Sequence, residues 1–294
     1  MRKSPWLITI LICLLATPLV MRAGTPAYDA IYVFGDSYCD VGNIFLATKG
    51  AIPASPPYFN GHFSNGPIWV EHLAGSMGLP MKPSLAGGTD FAFGGAWVTA
   101  PQVTPLGTIP SVPEQVELYL TAHGGKADSN ALYVILGGGN DILGTTSGSP
   151  DALGYQIALG IAESELVLRR AGAQHFLIPN LFDLGLLPAA RANATFASAA
   201  SAATNKWLNT LLGLESLLEG IRITRTDVFS LLSEVKKDPT HFGFTDITNP
   251  CINPVTTSVC SDPDHTFFWD LEHTTEFGHA FFAVVAETAL KQHQ

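Results

Sequence analysis

Three side chains, in two short stretches of the sequence, could together form a nucleophilic centre. Ser37 follows the apolar, β-prone run Ile31–Phe34 and a Gly-Asp turn, so its hydroxyl can be presented where a strand ends. Near the C-terminus, Asp270 stands three residues before His273. A serine hydroxyl becomes a nucleophile when an imidazole removes its proton, and a carboxylate holds that imidazole in the required tautomer. We therefore predict that Ser37 is a nucleophile, His273 its base and Asp270 the orienting acid.

Attack of such a serine on a carbonyl creates a negative oxygen, which needs preorganised hydrogen-bond donors. Gly95 follows an apolar run, and its backbone N–H is accessible because no side chain shields it. Asn140 follows a buried, strand-like run, so its amide can be aimed from a neighbouring strand end. The backbone N–H of Ser37 would be a third donor. These residues predict an oxyanion hole formed by Ser37, Gly95 and Asn140.

Several of these features also have structural interpretations. A Gly-Asp-Ser tripeptide is often only a turn or a helix N-cap. We expect Asp36 to stabilise its turn, Asp141 to cap the segment that it begins, and His279 to pack on the final helix. The loop 262–265 holds two aspartates and a histidine, but short Pro-containing loops favour turns, and we predict no metal site there.

Together the four stretches resemble the sequence blocks of the GDSL-type lipases and esterases, within the SGNH hydrolase superfamily. FGDSYCDVGN matches the nucleophile block at Ser37, DFAFGGA places the oxyanion glycine at Gly95, and GGND supplies Asn140. DLEH supplies Asp270 and His273. The resemblance implies an α/β fold, a three-layer α/β/α sandwich with a central parallel five-stranded sheet. It also implies ester hydrolysis or acyl transfer without a metal or organic cofactor.

The sequence departs from the family pattern at a few positions. Tyr38 and Cys39 stand where Leu and Ser or Thr are common, Asp90 stands where Asn is usual, and Thr274 replaces a common Pro. None of these changes removes a catalytic atom. They bear on substrate fit and loop geometry rather than on the class of reaction.

The elements that must position these residues alternate between strands and helices, which predicts a parallel sheet wrapped by helices. Apolar runs predict strands near 31–34, 89–93, 131–137, 175–180 and 220–228. Helical periodicity predicts helices near 67–74, 112–121, 152–172, 193–219, 229–237 and 275–291, with a Pro-rich loop before the second. No internal repeat or long linker divides the chain, so we predict a single domain over residues 28–294.

Composition and charge limit the possible partners. Hydrophobic residues form 47% of the 294 and charged residues 14%, enough apolar side chains for a large core. The net charge of −10 argues against nucleic acid or an anionic membrane surface as the main partner. Small-molecule, lipid or carbohydrate esters remain possible substrates, and the sequence leaves the oligomeric state open.

The N-terminus predicts export. Arg2 and Lys3 precede an apolar stretch over 6–20, and small residues follow, which is typical of a signal peptide over 1–27. The stretch is short for a permanent membrane span, so we expect no stable membrane insertion after cleavage. Cys251 and Cys260 bracket a Pro/Asn/Thr-rich loop and are predicted to pair in an oxidising compartment. The mature protein is therefore predicted to be secreted or periplasmic.

The leading functional hypothesis is a secreted serine ester hydrolase that acts through an acyl-enzyme on Ser37. No long amphipathic lid helix is evident, which favours short-chain or soluble carboxylic esters. An acyltransferase would use the same residues with an alcohol in place of water. A non-catalytic binding module on the same fold is the alternative from another class.

Overall fold

The computed structural model describes residues 28–215 and 220–292. The signal peptide predicted for 1–27 lies outside the described residues, as does part of the end of the helix predicted for 193–219. The strands are β1 (Ile31–Phe34), β2 (Gln102–Thr104), β3 (Gly107–Ile109), β4 (Leu132–Ile135), β5 (His175–Pro179), β6 (Arg222–Thr226), β7 (Asp246–Pro250) and β8 (Thr266–Phe268). The helices are α1 (Asn43–Ala47), α2 (Trp69–Ser76), α3 (Val112–Ala122), α4 (Gly139–Gly144), α5 (Pro150–Ala171), α6 (Ala194–Glu215), α7 (Val228–Lys237) and α8 (Glu276–Gln292).

A parallel sheet organises the fold, with strand order β1-β4-β5-β6. In register, Val33 lies beside Val134, and Val134 lies beside Leu177. All three side chains are fully buried. Such a sheet is covered on both faces, which explains why its strands are continuous apolar runs rather than alternating ones.

Within the described ranges this sheet has four strands, whereas the family resemblance implied five. The segment 89–93, predicted to be a strand, runs parallel to β1, with a bridge between Val33 and Asp90. Three backbone hydrogen bonds join it to β1: the Val33 N–H donates to Thr89, and the N–H groups of Phe91 and Phe93 donate to Val33 and Gly35. Two side chains take over part of its backbone hydrogen bonding. The Asn43 amide donates to the carbonyls of Asp90 and Ala92, and the Asp90 carboxylate accepts from the Ala92 N–H. The segment therefore pairs with β1 through its backbone, while side chains bind the backbone groups of Asp90 and Ala92.

The helices pack in two groups. Helix α2 packs against α8, while α5 packs against both α3 and α6. Helix α3 begins as the sequence pattern indicates, since Ser111 and Glu114 form a reciprocal capping box. Two such groups are what a three-layer sandwich requires. In the part of the chain that the structure describes, none of the helices has the length and apolarity to span a membrane.

Two small sheets lie outside the main one. The Pro-rich loop expected before α3 contains an antiparallel hairpin, β2–β3. Strands β7 and β8 form a short parallel pair, and the loop between them is closed by a disulfide between Cys251 and Cys260, with an S–S distance of 2.01 Å. The Cys251 N–H also donates to the Phe268 carbonyl, so this loop braces the segment that leads into Asp270.

Candidate active site

The structure brings together the three side chains predicted to form the nucleophilic centre. His273 Nε2 lies 2.7 Å from Ser37 Oγ, although the two residues are 236 positions apart in the sequence. His273 Nδ1 lies 2.7 Å from Asp270 Oδ2. The hydroxyl, imidazole and carboxylate therefore form one continuous hydrogen-bonded chain. This is the arrangement in which a histidine can remove the proton of a serine.

A tight turn explains how Asp270 and His273, three residues apart, come into contact. Asp270 Oδ1 accepts hydrogen bonds from the backbone N–H groups of Glu272 and His273, each at 2.7 Å. The Trp269 N–H donates to the carbonyl of His273 at 2.8 Å, which closes the turn. The carboxylate thus organises the loop that carries its own imidazole partner.

Burial and the interaction between Asp270 and His273 set the charges of these two side chains. Burial lowers the pKa of His273, but the charge and hydrogen bond of Asp270, with the charges of Glu272 and Asp36, raise it, and the net shift is upward. Burial raises the pKa of Asp270, yet the charge and hydrogen bond of His273 reverse this, and that pKa is lowered overall. Asp270 is therefore ionised over the range in which His273 gains or loses its proton.

The predicted oxyanion donors surround one cavity beside the serine. Ser37, Gly95 and Asn140 all line a cavity of about 390 Å³. Within the described chain, the backbone N–H groups of Ser37 and Gly95 donate to no protein acceptor. Asn140 donates one amide hydrogen to the Ala96 carbonyl at 3.0 Å, which leaves the other free. All three can therefore donate to an oxygen held in this cavity.

Buried carboxylates hold the loop that contains Gly95. Asp40 Oδ2 accepts from the Gly94 N–H at 2.7 Å. Asp141 accepts from the backbone N–H of Val98 at 2.9 Å and from Thr99. Gly138, not Asp141, is the N-cap of α4, and the Asp141 carboxylate bonds this loop as well as its own backbone N–H in the first turn of the helix. It ties the Gly95 loop to α4, the helix that carries Asn140.

Two other residues lie where the structural interpretations expected them. Asp36 Oδ1 accepts from the Tyr38 N–H at 3.0 Å and so stabilises the turn that presents Ser37. Burial raises the pKa of Asp36 to about 6. His279 packs against Tyr38 and Phe282, and burial holds its pKa well below the ordinary value. His279 is therefore a neutral packing residue.

Two tyrosines that the sequence did not single out as site residues contact the loop between Asp270 and His273. The Tyr58 hydroxyl donates to Asp270 Oδ2 at 2.7 Å. The Tyr38 hydroxyl donates to the carbonyl of Glu272 at 2.8 Å. Tyr38 adjoins the nucleophile, and its sequence signal is its departure from the family pattern. Tyr58 lies 212 residues from its partner and gives no local signal.

Replacing Asn140 with alanine is expected to lower kcat about 10²- to 10³-fold, with a KM that changes less than threefold. The amide would bind the oxygen more strongly when it carries negative charge in the transition state than when it is a neutral carbonyl. Steady-state kinetics with p-nitrophenyl butyrate measure the effect. Asn130→Ala, which removes an amide from the exposed loop before β4, is the control and should retain full activity. A raised KM with an unchanged kcat would contradict a role as oxyanion donor.

Comparison with known proteins gives a match over most of the chain. The sequence profile of a family described as GDSL-like Lipase/Acylhydrolase matches residues 31–284. The chain is 32% identical over 249 residues to a phosphatidylcholine-sterol acyltransferase of Aeromonas hydrophila, covering 82% of this chain and 71% of the relative. It is 27% identical over 276 residues to a thermolabile hemolysin of Vibrio parahaemolyticus, and covers 87% of this chain but 62% of the hemolysin.

A solved structure supports the fold. The structure of a lipolytic protein of the G-D-S-L family from Veillonella parvula superposes with a TM-score of 0.51. The superposition covers 90% of this chain and 98% of the Veillonella chain, at 13% sequence identity. At this identity the likeness concerns the fold alone.

Proposed function

Because the chain belongs to the GDSL-like lipase and acylhydrolase family, we propose that it is an exported ester hydrolase that forms an acyl-enzyme on Ser37. One observation carries the proposal. The 2.7 Å contact between His273 Nε2 and Ser37 Oγ continues through the other ring nitrogen to Asp270, also at 2.7 Å. A histidine with only a structural role would not need both a buried serine and a partly buried carboxylate in line.

The reaction follows from this geometry. His273 takes the Ser37 proton as Oγ attacks the ester carbonyl carbon, and the resulting negative oxygen accepts hydrogen bonds from Ser37, Gly95 and Asn140. The imidazolium then gives its proton to the departing alcohol, which leaves the acyl group on Ser37. A water molecule, deprotonated by His273, attacks the acyl carbon, and collapse of the second intermediate releases the acid and restores the serine hydroxyl.

The cavity beside Ser37 supports an uncharged acyl group as the part of the substrate that it holds. Its volume of about 390 Å³ falls within the range of small-molecule sites. Among the residues that the structure describes, no lysine or arginine lines it, and its apolar lining comprises Ile44, Ile52, Phe63, Leu106 and Ile109 with Pro105. We propose short-chain or soluble carboxylic esters as substrates.

Replacing Ile109 with tryptophan is expected to shorten the acyl chains that the enzyme accepts. A Cβ built on Gly95 would lie 3.2 Å from Ile109 Cδ1, so Ile109 borders the proposed oxyanion glycine. Filling this space should lower kcat/KM for p-nitrophenyl octanoate about tenfold, and that for the acetate about twofold or less. Leu118→Trp, on the exposed surface of α3, is the matched control. An equal loss with both esters would place the acyl chain elsewhere.

Labelling with a fluorophosphonate tests the proposed nucleophile. The expected result is a covalent adduct on the peptide that contains Ser37, found by mass spectrometry, and its absence from Ser37→Ala. An adduct that persists in this variant would remove Ser37 from the role. A folded protein that neither reacts with the probe nor hydrolyses p-nitrophenyl acetate and butyrate would instead favour the binding module.

Acyl transfer is the second candidate function. The relative with 32% identity is named an acyltransferase, and a second cavity of about 430 Å³ adjoins His273 from the side of Tyr58 and Leu271. An alcohol seated there could replace water as the acceptor. Product partition with added alcohols separates the two functions. For a transferase, millimolar alcohol should divert most of the acyl group, whereas for a hydrolase the free acid should remain the main product.

Export to an oxidising compartment is supported by the Cys251–Cys260 disulfide, since such bonds persist outside the reducing cytosol. Sequencing the N-terminus of protein recovered from outside the cytoplasm tests the proposed cleavage. A new N-terminus close to residue 28 is expected. Recovery only from the cytoplasm with an intact Met1 would contradict export.

A further inference from the structure

In the part of the chain that the structure describes, the Asp270 carboxylate has four hydrogen-bond donors, and only one of them is a side chain distant in sequence. Oδ1 accepts from two backbone N–H groups of its own loop, and Oδ2 accepts from His273 Nδ1. The remaining donor is the Tyr58 hydroxyl, 2.7 Å from Oδ2. With four donors around two oxygens, the carboxylate has little freedom to rotate. We propose that Tyr58 is a positioning residue that fixes Asp270 in the orientation required by His273. The inference rests on the catalytic role proposed above for Asp270.

Tyr58 is itself held in place. Its ring makes edge-to-face contacts with Phe63 and with Trp269, the residue before Asp270, with ring centroids 6.3 Å apart in each case. Its backbone N–H donates to the Ala54 carbonyl at 3.2 Å. Phe63 also lies against the His273 ring, at a centroid distance of 5.0 Å. The hydroxyl is thus aimed at Asp270 by the same aromatic group that packs on the base.

The hydroxyl can act only as a donor towards Asp270. Burial and the adjacent Asp270 charge raise the pKa of Tyr58 far above its ordinary value, so the phenol keeps its proton. Tyr58 and Asp270 both line the cavity of about 430 Å³ on this side of His273. Without the hydroxyl, Oδ2 would face that cavity with one donor fewer, and the carboxylate would rotate more freely while it stayed bonded to His273 Nδ1. The tyrosine therefore restricts the orientation of a carboxylate that remains beside His273.

The Tyr58 hydroxyl also reduces the extent to which Asp270 raises the pKa of His273. A donor on Oδ2 shares the negative charge of the carboxylate, which lowers its attraction for a proton on His273. Removing the donor should leave a more strongly attracting carboxylate and a higher pKa for His273. His273 must be neutral to accept the serine proton. With a higher pKa it would become protonated at a higher pH, so the acid limb of the pH profile, where activity falls as the pH is lowered, would lie at higher pH.

Tyr58→Phe tests the proposal, since it removes one oxygen and keeps the ring. The expected result is a fall in kcat of about tenfold, the effect of one hydrogen bond to a charged group, with an unchanged KM for p-nitrophenyl acetate. The acid limb of kcat/KM should move to higher pH. Tyr133→Phe is the matched control, because its hydroxyl bonds Tyr119 and the Asp128 carbonyl away from the site. The control should leave kcat, KM and the acid limb unchanged.

A double variant separates action through Asp270 from other effects. In an Asp270→Asn background, Tyr58→Phe should change kcat by about twofold or less, because the carboxylate it positions is gone. An equal tenfold loss in both backgrounds would overturn the proposal, as would a Tyr58→Phe enzyme with the kcat and acid limb of the parent. If Asp270→Asn alone retained full activity, the proposed catalytic role of Asp270 would fail first. The two failures are therefore distinguishable.

Discussion

An enzyme with alanine at position 37 is expected to lose activity by a factor of about 10⁶ in kcat on p-nitrophenyl butyrate. The serine oxygen, 2.7 Å from His273 Nε2, is the atom that would form the bond to the acyl group, and no side chain replaces it in this variant. Binding of the ester to the cavity and the oxyanion donors would persist. KM should therefore change much less than kcat, and the residual rate should require no acyl-enzyme.

Stopped-flow and steady-state kinetics on protein purified free of the parent enzyme measure this loss. Ser201→Ala is the matched control, because Ser201 is also buried but lies on α6, where its hydroxyl donates to the Ala197 carbonyl. That variant should keep its kcat even if its melting temperature falls. A Ser37→Ala enzyme within tenfold of the parent would show that another residue is the nucleophile.

The parts of the fold and site that could be predicted are those whose signal is local. β1 has the predicted bounds because a run of apolar residues followed by Gly defines a buried parallel strand without reference to its neighbours. The contact between Asp270 and His273 was predictable for the same reason, since a turn of the chain between them is enough. The helices beginning at Val112 and Val228 lie close to the segments predicted from their periodicity.

The parts that could not be predicted depend on partners far along the chain. The segment 89–93 has the composition of a strand and bonds to β1 through its backbone, but the carbonyls of Asp90 and Ala92 are taken by the side chain of Asn43. The hairpin β2–β3 was hidden because its two strands, each of three residues, lie within a Pro- and Thr-rich stretch that resembles a loop. The hydrogen bond of Tyr58 spans 212 residues, and no periodicity or spacing encodes it.

Replacing Asp270 with asparagine is expected to lower kcat about 10⁴-fold while leaving the fold intact. The amide NH₂ can face the ring and hold the tautomer that carries its proton on Nε2, and that nitrogen could then no longer accept the serine proton. The pH profile should also move. Burial lowers the pKa of His273 and the Asp270 charge raises it, so without the charge the acid limb of kcat/KM should shift to lower pH. Initial rates of p-nitrophenyl butyrate hydrolysis across the acid limb measure both effects.

The chain supplies its own control for this change. Asp262 and His265 form a second Asp–His pair with the same spacing and a 2.7 Å contact, but on an exposed loop. Asp262→Asn therefore removes the same charge from the same kind of pair without touching Ser37, and should leave kcat and the acid limb unchanged. Equal losses in the two variants would mean that general surface charge governs the rate. A large loss confined to Asp270→Asn, with the acid limb of kcat/KM moving to lower pH, would mean that the Asp270 carboxylate acts through His273.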